Sequence, residues 1–154
     1  IPPQVRHPGQ IADESAMSKH HLTWNESRHR VGIAAIDDQH REIIERVNLI
    51  ADAVGQSDRH EAVQEMMDDL ILFACEHFAL EERLMTEYGF PDLEGHIAEH
   101  LGLLQQLNNL RDALRTPNPT KAALVSAFIT DWAELHILQS DKEIGAFLAA
   151  RGMR

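Results

Sequence analysis

The sequence predicts an all-α protein, an antiparallel up-down-up-down four-helix bundle preceded by an extended N-terminal segment. Three observations lead there. Apolar residues recur at spacings of three and four in four separate stretches. Short connections carrying Gly and Pro divide those stretches. No stretch alternates as a strand would, and four amphipathic helices with short links bury their faces best by packing together.

The elements follow in order. Residues 1–23 hold Pro2, Pro3, Pro8 and Gly9 without sustained periodicity and read as a tail or linker, leaving 24–154 for the bundle. The first helix runs from Asp37, with Asp37 or Asp38 as N-cap, through Ile36, His40, Ile43, Ile44, Val47, Ile50 and Val54 to Gly55. The second starts near Asp58 and stops before Gly89; its stripe includes Val63, Met67, Leu70, Ala74, His77, Phe78, Glu81, Leu84 and Met85. The third spans about Pro91 to Leu114, with Pro91 in its first turn and His96, His100, Leu103, Leu104 and Leu107 inward. The fourth extends from about Thr120 to Ala150 on Val125, Phe128, Ile129, Trp132, His136, Ile144, Phe147 and Leu148.

Composition narrows the function. At 154 residues and 44% apolar, the chain suits one domain with a real core. A net charge of −11 without a Lys/Arg cluster excludes a nucleic-acid partner. No apolar run is long enough for membrane insertion, and the first residues lack the apolar core of a signal peptide. The single cysteine, Cys75, rules out an intramolecular disulfide framework and points to a reducing, cytoplasmic location. The chain begins with Ile and so reads as part of a longer product, preceded either by an upstream domain or by an added segment, with Met17 as the alternative native start.

Ionisable residues interrupt all four apolar stripes: His40 on the first, His77 and Glu81 on the second, His96 and His100 on the third, His136 and Asp141 on the fourth. A spacing of four puts two side chains on one helix face. The spacing of five between His136 and Asp141 swings the second about 140° from the first on an α-helix. A lone histidine on an apolar face is ordinarily a hydrogen-bonded core residue. Two carboxylates beside five histidines are different, because a buried carboxylate without counter-charge costs roughly several kcal/mol, and a cation compensates them all. The donors suit iron, zinc or copper. Seven donors exceed one closed structural site and suit two ions. If both carboxylates bridge, and an oxygen bridges too, one coordination position stays open for a small diatomic ligand.

At these residues the chain resembles the hemerythrin family, in its bacterial branch, over about residues 22–151. The resemblance rests on LTWNES, VGIAAIDDQH, HFALEERLM, YGFPDLEGHIAEH and WAELHILQSD. It implies a non-haem di-iron site with no catalytic turnover. His96, His100 and His136 would bind one iron; His40 and His77 would bind the other and leave it a vacant position. Glu81 and Asp141 would bridge the two iron ions, with an oxo or hydroxo group as third bridge. Dioxygen would bind there reversibly, for carriage, storage or sensing, with nitric oxide or peroxide as other ligands of the same size. Trp132, Ile137, Phe78 and Ile36 are wall residues that would keep the site dry, Ile137 foremost. Ile144 stands where the family often carries Tyr. His7, His20, His21, His29 and His60 lie off the stripes and read as surface residues.

Three other readings compete, one of them a helical interaction module without metal, which would be colourless and free of iron. A ferritin-like iron store or oxidase would need paired Glu-x-x-His motifs on core helices, and the one such motif, Glu26 with His29, lies before the first helix. Alternatively the same site serves as an oxygen or redox sensor module regulating an attached output domain.

Overall fold

The computed structural model describes residues 21–116 and 118–154. The described residues hold helices and no strand: α1 (Glu26–His29), α2 (Ala34–Ala53), α3 (His60–Tyr88), α4 (Leu93–Ala113), α5 (Pro119–His136) and α6 (Lys142–Ala149). A 3-10 turn, Ser57–Arg59, precedes α3, and a π-helical turn, Ile137–Asp141, joins α5 to α6. The bundle is α2, α3, α4 and the long α5–α6 unit, with α3 packed on α2 and α4, and α5 packed on α2 and α4. Most of the expected tail, including His7 and His20, lies outside the described residues. At its end, Leu22 is buried and exchanges backbone hydrogen bonds with the Asn48 amide, at 2.8 Å each way.

Local chemistry explains the ends. Gly89 (φ 71°) closes α3 in the left-handed region that glycine enters freely, and Phe90 N–H reaches back to Met85 O at 2.8 Å. Asn118 caps α5 by accepting from Thr120 and Lys121 N–H, with Pro119 at the first helical position.

Several expectations are corrected. α2 begins at Ala34, before Asp37, so Asp37 is not its N-cap. Its buried carboxylate instead accepts from the N–H groups of Val31 (2.7 Å) and Gly32 (3.1 Å), tying the incoming chain to the first turn. Pro91 lies in the turn before α4, which starts at Leu93. The fourth bundle helix is not continuous α-helix but changes to π geometry over Ile137–Asp141. Phe128 is 40% exposed, because Val125, Ile129 and Trp132 already fill the inward face of α5. His29 is 3% exposed rather than on the surface: it accepts from Asn25 N–H at Nδ1 (2.9 Å), and its ring lies 5.5 Å from Trp24.

The core comes as two apolar layers. One contains Ile43, Ile44, Met67, Leu70, Phe78, Leu107, Ile129 and Trp132. The other contains Ile33, Ile36, Leu84, Met85, Ile144 and Leu148. Along every bundle helix the chain passes from one layer to the other through the ionisable positions. Ile36, His40 and Ile43 do so in one direction, and Phe78, Glu81 and Leu84 in the reverse. The polar residues therefore form a slab between two apolar layers, which places the site deep inside.

Candidate metal centre

All seven predicted residues meet in that slab, and each is at most 6% exposed. Their donor atoms form two overlapping groups, in each of which all atoms lie within 4.8 Å of one another. One group is Glu81, His96, His100, His136 and Asp141; the other is His40, His77, Glu81 and Asp141. The carboxylates belong to both. Glu81 turns Oε1 toward His77 Nε2 (3.4 Å) and Oε2 toward His100 and His96 Nε2 (3.1 and 3.8 Å). Asp141 turns Oδ2 toward His40 and His77 Nε2 (2.9 and 3.7 Å) and Oδ1 toward His136 and His96 Nε2 (3.0 and 3.7 Å). Each carboxylate thus spans the two groups with one oxygen apiece, an arrangement that the sequence left open.

The π turn makes this possible. On an α-helix Asp141 would point about 140° away from His136. In the π turn, residues five apart come onto one face, and both side chains enter the slab. Such turns are frequent at functional sites. On α3 and α4 the spacing of four needs no such device, and His77 with Glu81 and His96 with His100 share their faces directly.

The buried polar atoms test whether a metal suits the site. Buried groups are normally hydrogen-bonded, yet both oxygens of Glu81, Oδ1 of Asp141 and Nε2 of His77, His96, His100 and His136 have no hydrogen-bond partner. These are the atoms that face the centre. Metal–ligand bonds of about 2.0–2.2 Å put neighbouring donors about 3 Å apart, the lower end of the spacings here. The residues fit a pair of cations.

Electrostatics of the metal-free chain point the same way. Burial, reinforced by the Asp141 carboxylate, pushes Glu81 up to about 8. Burial also opposes ionisation of Asp141, but the nearby His136 imidazolium, with the His40 hydrogen bond at 2.9 Å beside it, outweighs it and holds Asp141 well below the carboxylate range. Burial opposes the charge on His136 too, yet Asp141 and Glu99 raise it to about 10. Burial depresses His100 to about 3 and lowers His96. Without metal, the centre is a neutral acid beside an imidazolium–carboxylate pair, and the remaining imidazoles of the three-histidine group are uncharged and free to ligate.

A second ring of residues was not found from the sequence. His77 Nδ1–H donates to Gln39 Oε1 (3.0 Å), His100 Nδ1–H to Glu82 Oε1 (2.9 Å) and His136 Nδ1–H to Glu99 Oε1 (3.0 Å). Ser140 Oγ donates to the same Glu99 oxygen at 2.6 Å. These contacts fix each ring and aim its Nε2 inward. The one sequence signal is adjacency: Gln39, Glu82, Glu99 and Ser140 each neighbour a predicted ligand in the chain. Phe78 stacks on His100, with centroids 3.9 Å apart and planes at 12°. Ile36 and Ile137 are almost fully buried, and Trp132 is 6% exposed. His21 is exposed, His60 is half-buried at the start of α3, and exposed Glu26 of the Glu-x-x-His pair bonds Trp24 and Arg41, away from the centre.

Known proteins resemble the chain in sequence and in fold. The family model of the hemerythrin HHE cation binding domain matches residues 31–148. The chain is 30% identical over 129 residues to a bacteriohemerythrin of Methylococcus capsulatus, covering 84% of this chain and 98% of that protein. It is 35% identical over 105 residues to a bacteriohemerythrin of Stenotrophomonas maltophilia, covering 62% of this chain and 67% of that one. A crystal structure of wild-type hemerythrin superposes with a TM-score of 0.75 at 27% identity, covering 83% of this chain and 98% of that chain.

Proposed function

The chain belongs to the hemerythrin family, and from that premise we propose that it binds dioxygen reversibly at a non-haem di-iron site, as a binding protein and not an enzyme. His96, His100 and His136 would hold one iron, His40 and His77 the other, with Glu81 and Asp141 shared between them. The observation that carries this reading is the set of unpartnered, inward-facing donor atoms in a slab sealed by apolar layers. When bound, the iron pair supplies two electrons and an open coordination position for a diatomic ligand.

The chain's own residues do the rest. The side chains of His40 and His77 are both 0% exposed, whereas His96 and His136 retain 6% and 5%. The two-histidine side is therefore the drier one, which favours a small apolar ligand there and discourages water from displacing it. Ile36 and Ile137 would wall that side. Gln39 holds His77 in register, and Glu82 and Glu99 hold His100 and His136.

Residues 24–154 would be the binding unit, with 1–23 as tail or linker. Two roles share this chemistry, free carriage or storage and sensing for an attached output domain. No helix among the described residues is long and apolar enough to cross a membrane. The test is metal analysis with absorption spectroscopy on protein from iron-replete cells. The reading expects two irons per chain and charge-transfer bands that cycle as oxygen is added and removed. Less than about half an iron per chain, or a spectrum indifferent to oxygen, would overturn it.

A further inference from the structure

The two groups of donors share Glu81 and Asp141 but are backed by different chemistry. Behind the three-histidine group stand two carboxylates: Glu82 accepts from His100 Nδ1–H at 2.9 Å, and Glu99 accepts from His136 Nδ1–H at 3.0 Å. Behind the two-histidine group stands one neutral amide, Gln39, which accepts from His77 Nδ1–H at 3.0 Å. His40 Nδ1 is buried with no hydrogen-bond partner. The asymmetry crosses three helix pairs: Glu82 on α3 serves α4, Glu99 on α4 serves α5, and Gln39 on α2 serves α3.

A carboxylate behind a ligating imidazole makes that imidazole a stronger donor, and it adds negative charge close to the metal. An amide orients the ring without adding charge. We propose that Glu82 and Glu99 are positioning residues that make the two metal positions unequal. Through His100 and His136 they give the three-histidine position the tighter hold on metal and the stronger preference for the ferric ion, while the two-histidine position stays the softer site. This rests on the di-iron reading above and goes beyond it, since the shared bridges alone would leave the positions nearly alike in charge. Both glutamates are partly open to solvent, with side chains 34% and 40% exposed. Water therefore screens part of their charge, and their effect is graded rather than decisive for folding.

The test begins with metal-free full-length chain titrated anaerobically with ferrous ion in a calorimeter. Wild type should take up two ions in two resolved steps. The double variant Glu82→Gln with Glu99→Gln keeps an acceptor oxygen at each place and removes only the charge. It should weaken the tighter step by roughly 10–100-fold and leave the weaker step within about threefold. The mirror variant Gln39→Glu should tighten the weaker step. Reduction potentials of the iron-loaded proteins supply a second readout. The double variant should shift upward and Gln39→Glu downward; a tenfold change in ferric preference is about 59 mV for one electron. A merely structural role would not move the potential in opposite directions.

Equal weakening of both steps in the double variant, an unchanged weaker step in Gln39→Glu, or potentials that move the same way would overturn the proposal. Each single variant, checked by far-ultraviolet circular dichroism, gives the same reading if the double variant fails to fold. Failure of oxygen binding is a separate result, two ions bound in two steps with a spectrum indifferent to oxygen, and it leaves the asymmetry standing.

Discussion

Replacing Glu81 by Gln should lower metal binding and, in the metal-free protein, raise stability. Glu81 is fully buried with both carboxyl oxygens unpartnered. Burial and the neighbouring Asp141 push it from an ordinary 4.5 up to about 8. Below pH 4.5 the folded and unfolded chains both hold the proton. Between 4.5 and 8 the folded chain binds more protons than the unfolded one, so stability falls as pH rises, by about 1 kcal/mol per pH unit. By pH 8 the accumulated cost is on the order of a few kcal/mol. Gln cannot ionise, so the variant lacks this term. The stability difference between variant and wild type, both stripped of metal, should be small near pH 4.5 and grow in favour of the variant up to about pH 8. Urea unfolding at four pH values, with equal slopes checked, measures it. Iron content of the same variant, purified without chelator, should fall to a fraction of wild type. Parallel pH curves for the two proteins would refute the account of Glu81 as a neutral acid in the empty site. Full iron retention would refute its place as a shared ligand.

Other expectations follow from particular contacts. His77→Ala should lose iron whereas His60→Ala should retain it, measured as iron per chain; loss from both would undo the separation of ligand from non-ligand histidines. At pH 7 the metal-free chain carries protons on Glu81 and His136, raised to about 8 and about 10. Metal loading should therefore release close to two protons at pH 7 and fewer as pH rises past 8, read by calorimetry in buffers of different ionisation enthalpy. His29→Ala leaves the Asn25 N–H without its acceptor and should cost about 1–3 kcal/mol of stability while iron per chain stays at the wild-type level. A Cβ at Gly145 would overlap the backbone carbonyl of Val31. Gly145→Ala should therefore destabilise by about 1–3 kcal/mol, seen as a lower urea midpoint.

In this chain the local pattern says a great deal. His40, His77, Glu81, His96 and His100 could be picked out as site residues because each sits where an apolar side chain should be, on a helix whose period is visible. The same rule misplaced Phe128 and His29. Phe128 obeys the spacing but sits at the margin of the α5 face. His29 breaks the spacing but is buried by Trp24 and α5, on an element of only four residues. Periodicity has no purchase on so short a helix.

What the sequence determined by itself is therefore the set of helices, their inward stripes and the seven ionisable residues lodged in them, because those depend on contacts within one or two turns. The tertiary structure decided three things that no local pattern encodes. It placed a π turn between His136 and Asp141, which brings onto one face two residues that an α-helix would hold about 140° apart. It showed that each carboxylate divides its oxygens between the two donor groups. It also backed His100 and His136 with carboxylates and His77 with an amide, from partners 18 to 38 residues away in the chain. Those pairings depend on how neighbouring helices cross, which is set by the packing of whole side-chain layers rather than by any one segment.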